Sequence, residues 1–160
     1  MYRGDRRENL FRGKRIDNGE WVEGSYVRYG YTGEEKSYVV PGYASALYAF
    51  EVDPDTVGER AGIPDKIGRM IFDGDVLRAT VNAKINKRTV WYDGYSHTDC
   101  DYEELEVHWS VEHKIFNSRM GFFVYGKDRR FSCPLSRSVI FNKSAIVVGN
   151  IHDNPELVKP

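Results

Sequence analysis

The chain is poor in the residues and patterns that usually classify a protein at once. It has only two cysteines in 160 residues, Cys100 and Cys133, too few for the disulfide framework that staples small secreted domains. No run approaches the roughly 20 apolar residues that cross a bilayer as a helix. The opening MYRGDRREN leads into no apolar stretch, so neither a secretory signal nor a membrane partner is expected. Charge of one sign is missing too: 23 Lys and Arg stand against 24 Asp and Glu, a formal net charge of −1. That balance gives no whole-molecule field to attract a polyanion, so a nucleic-acid contact would have to come from a local patch. No segment repeats apolar residues at i, i+3, i+4 and i+7 for the ~11 positions that identify an amphipathic helix. There is no Gly-rich phosphate loop, no GxSxG elbow and no HExxH pair. These absences point to a soluble, non-enzymatic protein of a reducing cytoplasm.

What is present favours pleated structure. Eleven tyrosines and eight phenylalanines, within 41% hydrophobic residues, are enough for one unstapled domain and suit strands better than helices. Short extended runs alternate with Gly, Asp and Asn. Asp17-Asn18-Gly19 lies between Phe11–Ile16 and Glu20–Val27 and predicts a β-hairpin with a type I′ turn. Tyr48, Phe50 and Val52 alternate with Ala49 and Glu51 and stop at Asp53-Pro54-Asp55, a turn whose proline cannot join a ladder. Thr56–Asp65 holds Gly58, Gly62 and Pro64 and predicts no more than a helical turn. Asp73-Gly74-Asp75 predicts a tight turn into Val76–Val81, and Glu106–Glu112 places Val107, Trp109 and Val111 on one face. Gly121–Tyr125, Val139–Phe141 and Ala145–Val148 are further strand candidates. Tyr92–Leu105, with Asp93-Gly94 and the run HTDCDYEE, predicts a long exposed loop. Asn154-Pro155-Glu156 predicts an N-cap with proline at the first helical position.

Three blocks stand out for their idiosyncrasy: FRGKRIDNGEWVEGSYV (Phe11–Val27), VDPDTVGERAGIPDKIGRMIFDGDVL (Val52–Leu77) and IVVGNIHDNPEL (Ile146–Leu157). Together they resemble the YopX family, small proteins encoded by bacteriophages and prophages and without an established biochemical activity. The likeness is looser between Arg78 and Ala145. It implies a mainly β fold: an N-terminal β-hairpin region over 1–68, an SH3-like β-barrel over 69–151 and a short C-terminal tail over 152–160. The positions shared with the family are Trp21, Gly24, Asp53, Pro54, Thr56, Gly58, Phe72, Gly74, Asp75, Gly149, Asn150 and Asn154, most of them expected to hold the fold.

Each chemical signal has an ordinary counterpart. His97, Cys100, His108 and His113 are soft or borderline metal ligands within seventeen residues. Residues 108 and 113 are an odd number apart, however, and would point to opposite faces of a strand, which is a poor zinc signature. Cys133, in FSCPL, reads as a packing residue rather than a nucleophile. Asp53, Asp55, Asp73 and Asp75 have turn roles that explain them. Asp99, Asp101, Glu103, Glu104 and Glu106 lack the central glycine of a calcium loop and read as a solvated face. In Gly149-Asn150-Ile151-His152-Asp153-Asn154, acid–base residues cluster, yet Asp153 can close a loop and Asn154 can cap one. The remaining signal is cations interleaved with aromatics: Arg12, Lys14 and Arg15, and Lys127, Arg129 and Arg130 beside Phe131. These seven positions are the candidate binding residues, with no catalytic residue, metal or cofactor expected. The expected function is that of a phage or prophage accessory protein in the host cytoplasm that binds another protein, a copy of itself or a host factor. A nucleic-acid-binding module is the alternative.

Overall fold

Pleat and turn chemistry dominate the fold as they dominate the sequence. The computed structural model describes residues 10–43, 48–92, 95–116, 119–127, 129 and 131–159; for 83–92, 95–102, 115–116 and 119–120 it describes the backbone alone. Among the described residues, eleven strands form two antiparallel sheets. The first comprises β1 (Phe11–Lys14), β2 (Trp21–Tyr29), β3 (Lys36–Val40), β4 (Phe50–Val52), β5 (Gly58–Pro64) and β6 (Met70–Phe72), in the order β4-β3-β2-β1-β5-β6. The second comprises β7 (Asp75–Tyr92), β8 (Tyr95–Phe116), β9 (Arg119–Gly126), β10 (Ser132–Pro134) and β11 (Ile146–Asn150), in the order β10-β9-β8-β7-β11. One helix, α1 (Arg137–Asn142), links β10 to β11. The protein is mainly β, as expected. No closed barrel is found among the described residues, because the outermost strands β10 and β11 do not pair with each other.

The larger core lies under the second sheet. Leu77, Ala79, Trp109, Val111, Val124 and Val147 bury one face of it, and Ile140 of α1 and Leu135 close over them. Ala61 and Ile63 of β5 pack onto the same cluster, so the end of the first sheet forms part of the second core. A smaller cluster of Val22, Val39 and Val52 serves the other end of the first sheet. Alternation holds in β8, where Trp109 and Val111 are buried and Ser110 between them is not, whereas Asp75–Leu77 of β7 and Phe123–Tyr125 of β9 are buried consecutively.

Several local expectations are corrected. The β1–β2 connection is a hairpin, but among the described residues only Gly19 there has positive φ (+72). A type I′ turn needs two such residues, and the loop is instead the longer one closed by Arg15 N–H to Glu20 O and Gly19 N–H to Arg15 O. Only Pro54–Thr56 makes a helical turn, with Asp53 accepting from the Asp55 N–H, whereas Gly58–Pro64 is strand β5. Its glycines serve the strand: Gly58 lets the Asp73 carbonyl approach where a Cβ would collide, and Gly62 takes a positive φ where the β5–β6 register slips. Val139–Phe141 falls inside α1, which is capped by the Ser136 hydroxyl accepting from the Val139 N–H. A three-residue apolar run fits a helix as well as a strand, and the cap decided it. Of the expected loop Tyr92–Leu105, Tyr92 and Tyr95–Leu105 are strand and 93–94 lie outside the described residues; Tyr92 is opposite Tyr95 and the ladder runs to the base of β7 apart from one slip near Lys84. Hydrophobic alternation could not reveal this strand, because SHTDCDYEE has no regular apolar spacing. Tyr48 lies outside β4 and is exposed.

Candidate functional site

The two sheets meet at a set of aspartates whose oxygens are engaged by backbone N–H groups, by cations or by side-chain N–H donors. Asp75 opens β7 almost fully buried, at 1% side-chain exposure, with one carboxylate oxygen 2.5 Å from the Arg12 guanidinium and the other accepting from the Phe72 N–H. The guanidinium lies between the faces of Trp21 and Phe72, 4.7 and 4.9 Å from the ring centroids. Burial pushes the Asp75 carboxyl up, and Arg12 opposes that shift. Asp73 accepts from the His113 N–H of β8, and its burial also raises its carboxyl. Asp65 accepts from Ile67 N–H and Arg69 N–H across the β5–β6 turn and from Val147 N–H of β11. Asp153 accepts from the Lys14 ammonium, the Trp21 indole N–H and the Asn150 amide, and these bonds hold its carboxyl well below the usual range. The C-terminal block therefore acts as a clasp onto β1 and β2. Asn150, not Asp153, closes the loop, accepting from the His152 and Asp153 N–H groups. Asn154 precedes the terminal turn Pro155–Leu157 without capping it through its side chain. Its amide instead lies where a Cβ on Gly149 would overlap it.

A different arrangement borders the core-facing side of β8, where the buried cluster reaches the surface. A groove of about 810 Å³ runs beside Val81, Val107 and Trp109, with Phe131 as its far wall and Glu106, His108, Lys127 and Lys143 at its rim. Phe131, 44% exposed, stacks on the buried Trp109 ring at 5.3 Å and 22°. Next to it, a second cleft of about 670 Å³ is lined by Glu112, Tyr125, Lys127 and Arg129 among others. There Glu112 receives both guanidinium nitrogens of Arg129, at 2.7 and 3.1 Å, and pairs with Lys114. Burial raises the Glu112 carboxyl, but these two cations win and hold it below its ordinary value. Lys114 and Arg129 also stand over the Tyr125 ring at 4.5 and 4.8 Å.

The seven candidate binding residues thus divide by environment. Arg12 is interior. Lys14 is committed to Asp153, and Arg15 pairs with Asp17 while covering the Phe50 ring at 4.0 Å. Arg129 is committed to Glu112, and Arg130 lies outside the described residues. Lys127 and Phe131 share the groove, where Trp109 and Lys143 join them. Trp109 and Lys143 were not singled out as site residues from sequence. The readable signal was a tryptophan on the cleanest strand, but core packing explained it equally well. Asp65 was missed as well, although Asp65-Lys66-Ile67-Gly68 has the pattern of an Asp-closed turn.

Among the described residues, no three His, Cys, Asp or Glu side chains gather to hold a metal ion. The side chains of His97 and Cys100 lie outside the described residues. His113 contacts Glu59 at 3.0 Å and stacks on Phe122, while His108 borders the groove. The Cys133 thiol is raised by burial, the opposite of an activated nucleophile.

A family model described as YopX protein matches residues 10–159. No curated protein and no solved structure gives a match. All three idiosyncratic blocks fall within the matched range, and four of their aspartates, Asp65, Asp73, Asp75 and Asp153, tie the two sheets together. On that match, which covers all but the first nine residues and the last, the chain belongs to the YopX protein family.

Proposed function

We propose that this is a phage- or prophage-encoded accessory protein of the bacterial cytoplasm that acts by binding another protein, a host factor or a second copy of itself, and not by catalysis. The observation that carries this reading is the groove at Trp109 and Phe131: an aromatic pair, one ring buried and one accessible, with apolar walls and two lysines at its rim. Aromatic anchors of this kind dominate protein interfaces because they offer large area at little rotamer cost. The titratable groups of the family blocks support a non-catalytic role, since Asp65, Asp73, Asp75 and Asp153 are engaged in holding the chain. We also infer an SH3-like arrangement, on the grounds that the β5–β6 hairpin folds over the second sheet and places Ala61 and Ile63 in its core.

Lys127 and Lys143 beside the aromatic wall favour a second reading, a single-stranded nucleic-acid site. Against it, Arg12, Lys14, Arg15 and Arg129 are already neutralised by carboxylates. Affinity capture from native host lysate, with and without nuclease, using wild type and Phe131→Ala, separates the two. Partners retained after nuclease and lost with Phe131→Ala support protein binding. Recovery of nucleic acid, with partners lost on nuclease treatment, supports the alternative.

A further inference from the structure

The β7–β8 ribbon extends well beyond the sheet that carries it. On one side, β11 pairs with β7 only from Asp75 to Arg78; on the other, β9 pairs with β8 only from Trp109 to Phe116. From Asn82 to Tyr92 and from Tyr95 to Leu105 the two strands pair with each other and, among the described residues, with no other strand. That is an arm of roughly 35 Å at the usual rise per residue. Its two outer edges present unpaired backbone donors and acceptors, and a two-stranded ribbon is only marginally stable alone in water.

The charges of the arm are segregated by strand. Asn82–Tyr92 contains Lys84, Lys87 and Arg88 and no carboxylate; Tyr95–Leu105 contains Asp99, Asp101, Glu103 and Glu104 and no Lys or Arg. Directly opposite positions of the ribbon bring one basic and one acidic residue together. Arg88 is opposite Asp99, but Lys84 is opposite Tyr102 and Lys87 opposite Cys100, while Asp101 faces Asn86, Glu103 faces Ala83 and Glu104 faces Asn82. By sequence, one strand of the arm is therefore basic and the other acidic, with Arg88 and Asp99 the one pair of opposite charges directly in register.

We propose that the arm is a self-association element, in which the basic β7 edge of one copy adds to the acidic β8 edge of a second copy and continues the sheet. This rests on the self-association half of the protein-binding reading and specifies its surface. Pairing β7 with β7, or β8 with β8, would set like charges against each other, so the two-fold arrangements are disfavoured. Pairing β7 with β8 is head-to-tail, and head-to-tail contacts close into rings or run on as filaments.

The test is a charge exchange read by light scattering and native mass spectrometry at tens of micromolar protein. Lys84→Glu/Lys87→Glu/Arg88→Glu makes both edges acidic; Asp99→Lys/Asp101→Lys/Glu103→Lys/Glu104→Lys makes both basic. Wild type is expected to assemble, each variant alone to be monomeric with an unchanged melt of the body, and an equimolar mixture to assemble again with the two variants in equal number. A variant whose body melts early is replaced by one carrying a single reversal, Lys87→Glu or Asp101→Lys, which must weaken assembly at least tenfold. A monomeric wild type, assembly indifferent to the reversals, or a mixture of folded variants that stays monomeric overturns the proposal. If the monomer still captures a host protein through Phe131, the protein-binding reading stands and only the arm assignment is lost.

Discussion

The inner and outer parts of the β7–β8 ribbon share one hydrogen-bonded ladder but not one physical setting. At the inner end, Leu77, Ala79, Trp109 and Val111 bury one face, β9 and β11 cover both edges, and Asp73 and Asp75 tie the strand starts to the rest of the molecule. At the outer end, the same two strands have no flanking strand among the described residues, and their charges are sorted by strand. The first setting specifies a single register through packing and satisfied polar groups. The second leaves register to turn geometry and backbone pairing alone. The inner part is built to hold the molecule together, and the outer part is free to be used.

The sharpest way to break this comparison is at the buried ion pair. Asp75→Ala leaves Arg12 without its carboxylate between Trp21 and Phe72, and should cost about 3–5 kcal/mol, the loss expected when one member of a buried pair is removed. A thermal melt that moves by only a degree or two would show that the pair does not hold the sheets. Asp153→Asn should cost less, about 1–2 kcal/mol, since its carboxylate is partly exposed and its hydrogen bonds share solvent. It should also change the acid response. Because the Asp153 carboxyl is held below its ordinary value in the fold, the unfolded chain binds the proton first. The contribution of Asp153 is thus complete above its unfolded value of about 3.9 and is lost as pH falls below it. Asp73, raised by burial, acts in the opposite sense, so the measurement is the difference in urea midpoint between wild type and Asp153→Asn at neutral pH and near pH 3. That gap should narrow in acid; a constant gap would remove the charge from the clasp. The smallest effect is expected from the arm. Joining Ala83 to Glu103, which are partners in register, through an Asn-Gly turn should shift the stability of the body by less than about 1 kcal/mol. Loss of the body fold would show that the arm is structural after all.

Turns were legible in the sequence because they need particular residues. Gly19 and Gly74 take φ of +72 and +81 in the loops expected from Asp-Asn-Gly and Asp-Gly, and the alternation through Val107, Trp109 and Val111 announced a strand with one buried face. What stayed hidden was decided at long range. Asp65 reaches Val147 across 82 positions, and Asp153 reaches Trp21 across 132. Local pattern has no access to such pairings, so the aspartates read only as turn formers. Arg12 looked like one of a surface cluster because nothing in its neighbourhood announces the Phe72 and Asp75 that enclose it. The groove required Phe131 and Trp109 to meet, and the arm required Asn82–Tyr92 and Tyr95–Leu105 to pair although neither shows a sustained apolar alternation.

The clasp also orders events in time. Residues 146–153 supply the strand that flanks β7 and the carboxylate that binds Lys14 and Trp21, so a ribosome delivers the fastening after everything it fastens. A nascent chain stopped at Lys143 should remain open to protease at the joint between its sheets, and release of the next ten residues should close it. The two sheets are thereby kept from locking together until β11 and Asp153 have been made.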